Sequence, residues 1–146
     1  MSHNVIELKF AGNIPAKKNS RINRRDGMSF PSREFEAWQS TAIQNVRIQT
    51  RAKFTAPVSL ECIIYFGTDA RADLDNRVTS LLDMLVKAGV LLDDKWQQVP
   101  AIHVQAEYRP RRPGAYLRLT ELPEGWLGSE LAATRAKRAQ NKHKRK

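Results

Sequence analysis

At 146 residues the chain is long enough for one domain that buries about two-thirds of its unfolded surface, and too short to require a second. Its single cysteine, Cys62, excludes a disulfide framework within the chain, and no stretch approaches the ~20 apolar residues of a membrane-spanning helix. Lys and Arg outnumber Asp and Glu by 25 to 15, but from Leu127 to Lys146 seven basic residues face one acid, so the basic balance describes the tail more than the body.

Met1 to Glu7 has neither the basic start nor the apolar run of a signal peptide, which together with the lone thiol predicts a cytoplasmic protein, neither secreted nor embedded. Residues 5–11 alternate as a half-buried strand. Gly12 to Pro31 is a polar segment carrying Lys17, Lys18, Asn19, Arg21, Arg24 and Arg25 against one acid, Asp26. The Asp26-Gly27 turn signal predicts a β-hairpin arm. Its charge suits phosphates, and a solvated loop is the plainer reading.

Phe35, Trp38, Ala42, Ile43 and Val46 share a helical stripe, predicting a helix over 33–50 capped by Ser32, with Trp38 in the core rather than stacked on a base. Pro57 opens a second strand, 58–66, in which Cys62 is a core side chain. A loop, 67–72, leads to Asp73-Leu74-Asp75-Asn76, where a second helix begins. Leu74, Val78, Leu81, Leu82 and Leu85 form its apolar stripe and Gly89 its left-handed stop.

Beyond it, Trp96 in a loop is expected to cover a core edge or a dimer contact rather than wedge into a branch point. Ile102, Val104, Ala106 and Tyr108 alternate as a third strand, with His103 on its solvent face. A turn over 109–114 then joins it as a hairpin to a last strand through Tyr116, Leu117 and Leu119. The order β-α-β-α-β-β predicts a single small α/β (α+β) domain over 1–126, a mixed sheet with two helices. Residues 127–146 are a basic tail, disordered or helical only on a phosphate backbone.

The chemistry concentrates in the acids. Asp73 and Asp75 stand at a helix start, where acids commonly serve as caps. Asp94 follows Asp75 by 19 residues. If the chain doubles back after Gly89, Asp93 or Asp94 returns beside the helix start. Three gathered carboxylates repel one another unless a cation lies among them, and hard oxygen donors without a Cys-His cluster point to Mg2+ or Mn2+. There is no Walker loop, Gly-x-Gly-x-x-Gly, nucleophile elbow or zinc-spaced Cys-His set.

Asp73-Leu74-Asp75-Asn76, then Asp83, then Lys87-Ala88-Gly89-Val90-Leu91-Leu92-Asp93-Asp94 and Val99, resembles the signature of the RusA family of Holliday-junction resolvases. The resemblance is densest over 69–100 and extends over 15–120, from a Pro15-x-x-x-Asn19 segment. It implies metal-binding carboxylates at Asp73, Asp75 and Asp94, a homodimer acting on branched DNA, and paired nicking in recombination and repair. A lysine that the family often carries three residues after the motif's Asn is Thr79 here.

Arg77 projects from nearly the opposite face to Asp75, and Lys87 lies ~18 Å along the axis, so neither is expected to replace that lysine. Arg71 is the catalytic candidate, with Lys17 or Lys18 behind it. Asn76 and Arg77 are assigned to DNA contact, and Asn76 reads equally as a first-turn hydrogen-bonding residue. Two other readings stay open: a DNA- or RNA-binding protein without catalysis, and a resolvase weakened by loss of the lysine.

Overall fold

Leu8 and Phe10 alternate with Glu7 and Lys9, which gives a strand with one apolar face. In the computed structural model this is β1, Val5–Ala11, with Leu8 and Phe10 buried. The structure describes residues 4–16, 21–23, 29–123 and 125–144. A two-stranded antiparallel ribbon follows, β2 (Arg21–Asn23) with β3 (Ser29–Pro31), Arg21 opposite Pro31. This is the expected hairpin arm, although its Asp26-Gly27 turn lies outside the described residues.

Helix α1 spans Arg33–Gln49, and the Ser32 hydroxyl accepts the Phe35 N–H at 3.2 Å as its cap. Trp38 lies half-buried against the core, its ring 5.7 Å from that of Phe35. Strand β4 (Val58–Phe66) leads to α2 (Leu74–Lys87), which buries Val78, Leu81, Leu82 and Leu85 as the stripe predicts, and Met84 as well. Gly89, at φ 83°, ends it in the left-handed region. Strands β5 (Ala101–Tyr108) and β6 (Gly114–Glu121) complete the sheet, and α3 (Ser129–Lys144) closes the chain.

The four long strands lie in the order β1-β6-β4-β5, with β4 and β5 parallel and the other pairs antiparallel. The small α+β domain is therefore as expected, but the hairpin between the last two strands is not. β6 pairs with β1 and β4 instead. Ala115, Leu117 and Leu119 are all buried on β6, as suits a strand with neighbours on both sides, whereas the largely exposed β5 suits an edge. The turn carries the chain across the end of β4 through Arg109 N–H to Phe66 O and Gly12 N–H to Pro113 O, both 2.9 Å. A side chain at Gly114 would meet the Phe10 carbonyl oxygen at 2.3 Å, so β6 can enter beside β1 only with glycine there.

Leu8, Leu117, Cys62 and Val104 occupy one row across the sheet, on the face that packs with α1 and α2 into the core. Glu7, Glu61, His103 and Arg118 occupy the other, exposed face, as expected for His103. The tail differs from the expectation of disorder. It is a helix in its own right, consistent with its Ala-, Lys- and Arg-rich composition, and residues 133–142 are exposed. Among the described residues no helix is long and apolar enough to cross a membrane.

Cys62 is 1% exposed, and burial pushes its thiol from 9.0 up to about 12. The unfolded chain loses this proton between about pH 9 and 12 while the folded chain keeps it, so the thiol's contribution to stability declines as pH rises through that window. Near neutrality, a thiol reagent should label Cys62 only as fast as the fold opens. Native labelling at the denatured rate would contradict this burial.

Candidate active site

The loop 67–73 carries the chain from the end of β4 into α2 and so presents the acidic pair at a strand-to-helix junction. Asp73 is the N-cap residue, extended at φ −85° and ψ 123°, yet its side chain makes no capping bond. Its Oδ2 instead accepts from Asn76 Nδ2 at 3.2 Å, while the Asn76 N–H donates to Asp75 Oδ1 at 2.9 Å. One residue thus holds both carboxylates, and both remain exposed. This departs from the reading of Asp73 as a cap, while Asn76 is seen as a first-turn hydrogen-bonding residue.

The basic neighbours divide. Arg71 is exposed in the loop two residues before Asp73. Arg77 keeps to the helix face it shares with residue 73: its side chain folds back one turn, Nη1 donates to Asp73 O at 3.1 Å, and Nε is buried without a partner among the described residues. Thr79 donates its hydroxyl to Asp75 O at 3.1 Å, so it serves the backbone and brings no charge. Lys87 lies at the far end of α2 with Asp83, 3.5 Å away, and Gln39, as its distance along the helix implied.

Ser80, completely buried, donates to Pro15 O at 2.6 Å and binds the chain before Lys17 to α2 beside the site. Ile14 and Ala16 are buried there too. Lys17, Lys18, Asn19, Arg24 and Arg25 lie outside the described residues, and of Arg21 only the β2 backbone is described.

Asp94 stands elsewhere. The Gln98 side chain, 8% exposed, accepts the N–H groups of Leu92 and Asp93 at 2.7 and 2.9 Å and donates to Phe54 O and Ala56 O at 2.7 and 3.3 Å. Val58 N–H donates to Gln98 O at 2.7 Å. These bonds hold the Asp94 loop at the beginning of β4, while Asp73 and Asp75 follow its end. The intervening helix is about 20 Å long at ~1.5 Å per residue.

Among the described residues, no group of three or more His, Cys, Asp or Glu is gathered to hold a metal. The expected return of Asp93 or Asp94 beside the helix start within one chain is thus not observed. The cause is topological, since β5 runs parallel to β4 and must restart beside its beginning.

Asp93 is engaged locally. Desolvation, the largest single influence, raises its carboxyl, but the N–H groups of Asp94 and Lys95 and the Lys95 ammonium at 3.7 Å together outweigh it and hold the group below the usual range. Asp94 is exposed, as are Leu92 and Trp96, so Trp96 does not cover the edge of the core within the chain. Gln98 and Ser80 were missed in the sequence. Gln98 follows Gln97 and Ser80 follows Thr79, so nothing local in the sequence marks either.

Fold and site together define a small α+β domain whose exposed acidic pair, flanked by guanidinium groups, suits an enzyme acting on phosphodiesters. The family model of Endodeoxyribonuclease RusA matches residues 11–120, and the chain belongs to this family of Holliday-junction resolvases, DNA-binding endonucleases of recombination. No curated protein matches the chain.

Proposed function

We propose that the protein is a magnesium-dependent, structure-selective endonuclease that resolves four-way DNA junctions by paired nicking during recombination and repair in the cytoplasm. The observation that carries this reading is the pair of exposed carboxylates tied together by Asn76 and not consumed in capping the helix. Two carboxylates are an incomplete set for a hard divalent ion, and Asp94 is about a helix length away. The protein works as a homodimer in which Asp73 and Asp75 of one protomer and the partner's Asp94 form one oxygen-donor set. A two-fold dimer then carries two sites, matching the symmetry of the junction.

These carboxylates would hold Mg2+ or Mn2+, which when bound would lower the pKa of its water so that a hydroxide nucleophile is available near neutral pH, and would offset the charge on the leaving oxygen. The chain's own residues do the rest. Asn76 orients Asp73 and Asp75. Arg71 stabilises the charge that develops on the phosphate, the role left vacant at Thr79. Arg77 meets the DNA backbone with its guanidinium, and Lys17, Lys18, Asn19, Arg21, Arg24 and Arg25 grip the backbone of the DNA arms. The vacancy at Thr79 also supports a second reading, a junction-binding protein that cuts slowly.

The test is cleavage of a synthetic four-way junction beside a linear duplex of the same sequence, with magnesium or chelator. Paired nicks near the branch, seen only with metal, are expected. Tight junction binding without nicks would reject the enzyme and leave the binder.

A further inference from the structure

The two edges of the sheet are unlike. On β1 the outer edge is occupied, because the Gln49 side chain accepts the Lys9 N–H at 2.8 Å and donates to Lys9 O at 2.7 Å. On β5 the edge strand runs for eight residues without lysine, proline or bulge, the devices that usually prevent strands from pairing between chains. Its helix-side face carries apolar residues in the open: Ile102 is 46% and Tyr108 64% exposed, with Ala106 between them. The opposite face carries His103, Gln105 and Glu107.

We propose that β5 pairs antiparallel with β5 of a second copy about a two-fold axis at Gln105, making one eight-stranded sheet. The strand is self-complementary in that register. Ile102 falls opposite the partner's Tyr108 and Val104 opposite the partner's Ala106, while on the other face His103 falls opposite the partner's Glu107, an imidazole beside a carboxylate. Shifting the axis to Val104 or Ala106 leaves Tyr108 or Ile102 without its apolar counterpart.

This surface rests on the dimeric reading above and gives it a route. The partner strand begins where this one ends, so the loop bearing the partner's Asp94 arrives beside the 67–73 loop, whose residues Thr68, Asp69, Ala70 and Ala72 already border a cleft with Ala106, Glu107 and Tyr108. Neither acid needs to move along α2.

The experiment has two arms that do not depend on cleavage. Gln105→Cys, with buried Cys62 left in place, should give a covalent dimer on mild oxidation, joined at position 105 and absent from wild type, because residues on the axis face each other within disulfide reach. Ile102→Asp with Tyr108→Asp, both at the surface, should shift wild-type dimer to monomer in sedimentation at micromolar concentration with unchanged far-ultraviolet dichroism. A monomeric wild type would overturn the proposal, as would a dimer that survives the double substitution and gives no bond at 105. If the edge proves unpaired while junctions are still nicked, the dimer forms elsewhere and the nuclease stands. A bond at 105 in a protein that never nicks would reject the nuclease and leave the interface.

Discussion

Asp75→Asn should lower junction cleavage by about 10²–10³-fold, the scale of losing a group that stabilises transition-state charge. The fold should not notice. Asp75 is exposed, and its one described side-chain bond, the Asn76 N–H donated to Oδ1, can be accepted equally by an amide oxygen. Junction binding in chelator should hold or tighten, since one negative charge is removed from a surface that meets phosphates. Cleavage within tenfold of wild type would mean that Asp75 is only a helix-start residue. Unfolding of the variant would mean that its bonding has been misassigned.

Gln98→Leu should cost about 3 kcal/mol of stability and about 10 °C in Tm. It removes the amide that satisfies two N–H groups and two carbonyls, and each polar group left unpaired in a buried setting costs roughly 1–3 kcal/mol, discounted here because the Leu92–Asp93 side meets solvent. Cleavage should fall further than stability explains. Slackening the loop moves Asp94 off its position, whereas Asp73 and Asp75 stay fixed by Asn76. A loss below 1 kcal/mol in urea unfolding, with normal cleavage, would remove Gln98 from this role.

What could be read in the sequence was local. The stripe from Val78 to Leu85, the alternation at Leu8 and Phe10, the Ser32 cap and the Gly89 stop each depend on residues within a few positions. The acidic pair and its helix start were legible for the same reason. The place of β6 was not, because whether a strand joins its predecessor or crosses to a different neighbour depends on burial around the whole sheet. The same limit hid the separation of Asp94 from Asp75, which follows from β5 running parallel to β4.

Arg77 stays on the face its helix position implies, since residues four apart share a face, and its stem carries the guanidinium back one turn to Asp73 O. Gln98 and Ser80 bond to backbone atoms more than 40 residues away, and no spacing rule reaches those.

The most direct measurement mixes two inactive variants, Asp75→Asn and Asp94→Asn, lets the subunits exchange, and assays the mixture on a four-way junction. If the sites are shared between protomers, each mixed dimer has one complete set, Asp73 and Asp75 from one chain with Asp94 from the other. Single-strand nicks should return while paired resolution does not. If each protomer held its own complete set, every site in the mixture would lack one acid, and the absence of any nicking would contradict the shared site.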